Sequence, residues 1–101
     1  MTVFVKICGI RDKKTASAAV AAGADAIGFV FAKSVRQVTP GEAQSAAEGI
    51  PETVQRVAVM RHPSRDEWQS VLDGFEPDVL QTDAEDFAGL DVPDTVIRWP
   101  V

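Results

Sequence analysis

Short runs of β-branched and aromatic residues recur at Val3 to Cys8, Ala26 to Phe31, Val54 to Met60, Val79 to Thr82 and Thr95 to Trp99, with helical composition between them. The first four starts fall 23 to 28 residues apart, the length of one strand, one helix and two tight loops. That spacing predicts consecutive right-handed βαβ units and a parallel sheet. "AIGFVF" and "VQRVAV" are largely apolar on both alternating faces. Such strands need helices on one side of the sheet and packed side chains on the other.

The intervening segments carry helix start and stop signals. "DKKTASAAVAAG" is alanine-rich, opens at a candidate Asp12 cap and stops at Gly23, which tolerates a left-handed closing conformation. "TPGEAQSAAEG" offers a Thr39 cap, Pro40 in the first helical position and Glu42 at capping-box spacing. "SRDEWQSVLDG" repeats the pattern with Ser64 and Glu67, whereas "DAEDFAGL" is short, contains Gly89 and predicts a weaker helix.

With 101 residues the chain has the length of a single domain, residues 1–101. Two α/β architectures suit it. An open doubly wound sheet is complete in about 100 to 150 residues, whereas a whole eight-stranded barrel needs at least about 200. Length favours the first and leaves only part of the second. A net charge of -5 argues against nucleic acid or an anionic membrane as the main partner, since both repel such a chain on average. The single cysteine makes no internal disulfide, and no Cys/His cluster has metal-ligand spacing. The start lacks a signal-peptide pattern and no apolar run approaches the ~18 residues of a membrane span, so a cytoplasmic location is expected.

In parallel α/β folds chemistry collects at the carboxyl ends of the strands. That selects Lys6 and Cys8 after strand one, Lys33, Ser34 and Arg36 after strand two, Arg61 and His62 after strand three, and Gln81, Thr82 and Asp83 after strand four. Alternation puts Phe4, Lys6 and Cys8 on one face and the apolar Val3, Val5 and Ile7 on the other, toward the helices. An ammonium beside the thiol would favour thiolate, making Cys8 a candidate base or nucleophile. A free cysteine is equally a small buried hydrophobe, and Lys6 could simply reach solvent. A cysteine nucleophile normally wants a histidine; the sole one, His62, precedes Pro63 in an expected exposed loop. In "FAKSVRQVTP" the guanidinium of Arg36 would suit a carboxylate, or these are solvated loop charges. The glycines of "GADAIG" do not form a phosphate-binding fingerprint.

Taken in order, "VKICGIR", "AAGADAIGFVFAKSVRQVTPGEA", "RVAVM" and the "VLQ" near residue 80 resemble the N-terminal half of the phosphoribosylanthranilate isomerase family, eight-stranded TIM-type β/α barrels of tryptophan biosynthesis. The resemblance implies an α/β fold comprising the first four to five strands of such a barrel. It also implies an aldose–ketose isomerase performing the Amadori rearrangement of N-(5-phosphoribosyl)anthranilate, with no cofactor or metal. Cys8 matches the family's general base, which takes the sugar C2 proton while an aspartate on a later strand protonates the ring oxygen. Arg36 matches the arginine beside the anthranilate carboxylate, and Lys6 and Gln81 fall at substrate-binding positions.

Two departures stand out. The family usually reads Q-L-H-G-x-E at strand four where this chain has "QTDAED", so Gln81 and the acid at Asp86 match but Asp83 replaces a histidine. Asp83 is expected either to repel anionic substrate groups or to cap the next helix. The chain also stops near strand five, ahead of the strand bearing the acid and the glycine-rich phosphate loops. Unpaired sheet edges then predict self-association or pairing with a complementary C-terminal half-barrel. A non-catalytic, associating half-barrel is the alternative function.

Overall fold

All three α-helices among the described residues begin at a side-chain cap. Asp12 accepts from the Thr15 N–H at 2.7 Å, and full capping boxes join Thr39 to Glu42 and Ser64 to Glu67, each satisfying backbone donors that a helix start leaves free. These caps open α1 (Lys13–Ala21), α2 (Pro40–Ala47) and α3 (Arg65–Phe75). The strands between them are β1 (Lys6–Cys8), β2 (Ala26–Val30), β3 (Gln55–Val59), β4 (Val79–Thr82) and β5 (Ile97–Pro100). The computed structural model describes residues 3–101.

Between β4 and β5 the short segment winds as a 3₁₀ helix, Ala84–Gly89, as the weak helical composition of "DAEDFAGL" leads one to expect. Asp83 occupies its cap position, yet the side chain makes no capping hydrogen bond. The capping expectation for Asp83 fails because its carboxylate is engaged elsewhere, as described below.

The five strands form one parallel sheet in the order β1-β2-β3-β4-β5. A doubly wound sheet reverses its strand order at a switch point; here the order never reverses. Right-handed crossovers at every step therefore bring all helices to one face, where α1 packs on α2 and α2 on α3. This is the arc of a β/α barrel, and the open-sheet alternative is excluded.

The main core fills the space between sheet and helices. Ile27, Phe29 and Phe31 from β2 and its end, Ala58 and Met60 from β3 and its end, and Leu80 from β4 meet Ala16, Ala43, Trp68, Val71 and Phe75 from the helices. Phe75 anchors it, with ring centroids 5.0 Å from Phe29 and 5.5 Å from Phe31. The Trp68 indole N–H donates to the Asp91 carbonyl at 2.7 Å, satisfying the polar atom of an otherwise buried ring. A smaller cluster of Ala26, Val57 and Val79, joined by Val59 and Trp99, lines the concave face.

That face is curled. In a flat sheet β1 and β5 would lie about 19 Å apart, four spacings of ~4.8 Å. Instead Phe4, just before β1, meets Trp99 of β5 edge-on with centroids 5.8 Å apart, and the Lys6 ammonium of β1 donates to Gln81 Oε1 of β4. Val3 and Val5 depart from the expectation that they face the helices: Val3 is 72% exposed and Val5 39%. Paired strand begins only at Lys6 because the partner β2 begins at Ala26, so the apolar residues preceding it run past the layer that would cover them. Ile7 alone of the three packs on the core.

At the amino rim, two aspartates repeat one device. Asp25, immediately before β2, accepts the Val5 N–H at 2.8 Å, and Asp78, immediately before β4, accepts the Arg56 N–H at 2.8 Å. The backbones of both aspartates also bond the strands on either side. Arg56 in turn donates to the Ala47 and Ile50 carbonyls, closing the end of α2. No helix among the described residues is long and apolar enough to cross a membrane.

Two stability outcomes follow and are read by urea denaturation. Phe75→Ala removes the shared ring of the core and should cost about 3–5 kcal/mol. Asp78→Ala strands a part-buried Arg56 N–H and should cost about 1–3 kcal/mol, more than Asp25→Ala, whose partner N–H reaches solvent; equal losses would refute the burial argument.

Candidate functional site

Cys8 ends β1 on the concave side and is exposed, as a free thiol at the carboxyl rim. It sits in register with Gly28 of β2, and Lys6 with Ala26. The absence of a side chain at Gly28 is what lets the lysine and the thiol share one space. A Cβ there would stand 3.2 Å from Lys6 Cε and 3.3 Å from Cys8 Sγ. From this position Lys6 spans the concave face to Gln81 and does not simply extend into solvent.

Gly9 performs the matching service for Arg36. Its φ is +83°, a left-handed conformation that glycine adopts without a steric penalty. The Arg36 side chain lies directly over it, so that an added Cβ would come within 2.7 Å of Arg36 Cδ and 3.2 Å of Nη1. The loop that delivers Arg36 is itself ordered: the Arg36 N–H donates to Ser34 Oγ at 3.1 Å, and Arg11 donates to the Val35 carbonyl at 2.9 Å. The guanidinium therefore stands over the residue next to Cys8. Lys33 is exposed on the same loop, without a side-chain hydrogen bond among those of the described residues. Of the sequence candidates, Lys6, Cys8, Arg36 and Gln81 are thus brought to one mouth.

His62 is drawn into a different cluster. Its backbone is left-handed, φ +45°, and its N–H donates to Asp86 Oδ2 at 3.0 Å. The ring Nδ1 lies 3.0 Å from Asp86 Oδ1 and Nε2 lies 3.1 Å from Asp83 Oδ2. Asp86 is further fixed by the fully buried Thr82, whose hydroxyl donates to Oδ2 at 2.7 Å. The Asp86 hydrogen bond, reinforced by its charge and more weakly by Asp83 and Glu85, raises the His62 pKa above the ordinary imidazole value against the small cost of burial. Asp86 is correspondingly held below the usual carboxylate range, first by His62 and then by Thr82. Asp83 thus lies beside the outer ring nitrogen of His62, the one polar group its carboxylate meets among the described residues.

Spacing in the sequence did not reveal this cluster, because a Cys/His search passes over one histidine and two aspartates that come from separate strand ends. The available signal was the pairing of two strand-end positions, His62 and Asp83, in consecutive parallel strands. Gly28 was equally unmarked; its role rests on what lies above it.

The comparisons with known proteins agree with this architecture. No family model matches the chain. The N-(5'-phosphoribosyl)anthranilate isomerase of Listeria monocytogenes is 46% identical over 79 residues, which cover 78% of this chain and 39% of that protein. The crystal structure of phosphoribosyl anthranilate isomerase from Thermotoga maritima superposes with a TM-score of 0.77 at 30% identity, covering 96% of this chain and 50% of that one. A phosphoribosyl anthranilate isomerase in complex with reduced 1-(o-carboxyphenylamino)-1-deoxyribulose 5-phosphate gives a TM-score of 0.76 at 30% identity, over 96% of this chain and 53% of that one. The chain spans about two fifths to a half of the length of these relatives. In sequence and in fold it is a homologue, over that part, of the phosphoribosylanthranilate isomerases.

Proposed function

We propose that the chain carries the base-bearing part of a phosphoribosylanthranilate isomerase site and acts in the Amadori rearrangement of N-(5-phosphoribosyl)anthranilate in tryptophan biosynthesis. The observation that carries this reading is the convergence of Cys8, Lys6, Gln81 and Arg36 on one mouth, with Gly28 and Gly9 making the room. Protonation of the ring oxygen breaks its bond to C1 and leaves an iminium. Cys8 then takes the C2 proton, and the C–H electron pair forms an enolamine that tautomerises to the ketone. The base must lie within hydrogen-bond reach of that proton, which an exposed thiol at a strand end allows. Arg36 offers a planar fork to the anthranilate carboxylate, while Lys6 and Gln81 bind the substrate's polar groups. No residue of this chain is assigned the ring-oxygen acid or the phosphate site. A cytoplasmic setting, which keeps the thiol reduced, belongs to the same reading.

The partner this reading requires is polypeptide that continues the sheet beyond β5. Among the described residues, five of the six large apolar ones left exposed, Val3, Phe4, Val5, Ile97 and Val101, flank the two sheet edges. The total accessible surface of 6113 Å² also exceeds the roughly 5,500 Å² expected of a compact monomer of this mass. A complementary C-terminal half-barrel would cover that surface, and self-association is the competing outcome.

Anthranilate fluorescence, followed on freshly made phosphoribosylanthranilate, tests the function with the chain alone and mixed with a C-terminal half from the family. Activity is expected in the mixture. In that assembly Cys8→Ala should lower kcat/KM by about 100- to 10,000-fold with an unchanged circular dichroism spectrum, and retained activity would remove Cys8 from the mechanism. Gly28→Ala should slow alkylation of the Cys8 thiol by iodoacetamide, since the new methyl crowds the sulfur; an unaltered rate would mean that Gly28 does not set the thiol's position.

A further inference from the structure

The His62, Asp83 and Asp86 cluster does not enter the isomerase reading, and its parts are unequal. Asp86 is committed within the cluster: Oδ2 accepts from Thr82 Oγ1 and from the His62 N–H, and Oδ1 faces Nδ1. It is only 12% exposed. Asp83 is the opposite case. Its side chain caps nothing, is 37% exposed, and its one polar partner is His62 Nε2. The outward-facing atoms of the cluster are therefore a ring nitrogen and a carboxylate oxygen 3.1 Å apart.

That geometry suits a chelate. Two bonds of about 2.0–2.2 Å from one ion to donors 3.1 Å apart subtend roughly 95°, an angle open to both octahedral and distorted tetrahedral coordination. Metal-bound histidines almost always donate the second ring N–H to a carboxylate, a backbone carbonyl or water, which fixes the tautomer and the ring plane. Asp86, itself fixed by a buried threonine, is already in that place. The ligand atoms of all three residues lie within 4.8 Å of one another.

We propose that His62 Nε2 and Asp83 Oδ2 form a two-point site for a borderline divalent transition-metal ion of the zinc class, with Asp86 as the carboxylate that orients the imidazole. An imidazole nitrogen selects such ions over magnesium or calcium, which prefer all-oxygen shells. Two protein ligands leave the remaining positions to water or to an oxyanion at the carboxyl rim. The isomerisation does not call on this ion, so the proposal stands whether or not the functional reading holds.

Calorimetric titration of Zn²⁺ into the whole chain tests it, in a Cys8→Ser background so that the exposed thiol does not compete. The expected result is saturable binding of one equivalent, unaffected by excess Mg²⁺, and a visible absorption band when Co²⁺ is used. Asp83→Asn should remove it, as should His62→Ala; Asp86→Asn should weaken it by about 10- to 100-fold without abolishing it. If His62→Ala does not fold, Asp83→Asn decides alone, because the Asp83 side chain makes no other hydrogen bond or ion pair among the described residues. Absence of saturable binding, or binding that survives Asp83→Asn unchanged, would overturn the proposal.

Discussion

An unreversed strand order is the constraint on which the rest of this structure depends. Five parallel strands laid down in chain order, each joined to the next by a right-handed crossover, put every helix on one side. The sheet then has two unlike faces. One is packed by helices through the Phe29, Phe31 and Phe75 aromatic cluster; the other has no layer to cover it and curls on itself. Twist between neighbouring strands accumulates in one sense, and the concave side chains complete the curl by meeting across it. Phe4 with Trp99 and Lys6 with Gln81 are consequences of that curvature.

The same constraint explains why so many charged groups collect at one rim. Every strand of a sheet wound in one sense ends on the same side, so Lys6, Arg36, His62, Asp83 and Asp86 are brought close by topology whatever their distance in sequence. Their pairing keeps this tolerable. His62 stands between the two carboxylates, Lys6 is held by a neutral amide, and Arg36 lies over a glycine backbone, with no ion pair among the described residues. The cations near Cys8 are therefore left free of local acids, while the acids of β4 and its following turn are occupied by the imidazole.

How much of this was legible in the sequence depended on the range of each interaction. Capping boxes act over three residues, and Thr39 with Glu42 and Ser64 with Glu67 stand as the spacing predicts. Strand existence was equally local, since burial on both faces leaves a continuous apolar run at β2. Strand limits were less so: β1 starts three residues later than its apolar run because pairing, which a partner strand sets, decides where a strand begins. Cys8, Arg36, Lys6 and Gln81 were nominated by position at strand ends and by family resemblance, but the Lys6 to Gln81 contact needed the curl. The capping expectation for Asp83 fails because the partner of its carboxylate comes from the end of a different strand.

The two rims divide the labour in a way that makes a substitution at position 83 physically cheap. At the amino rim Asp25 and Asp78 accept backbone N–H groups of neighbouring strands, and their loss leaves donors without partners in the framework itself. At the carboxyl rim the polar side chains bond mostly to one another, and Asp83 makes no bond to the backbone. A substitution there alters the charge and the ligands of the mouth while the ladder of strands and the helix caps keep their partners. The carboxyl rim can accordingly hold an aspartate at position 83, paired with an imidazole from the end of the preceding strand, without a change of fold.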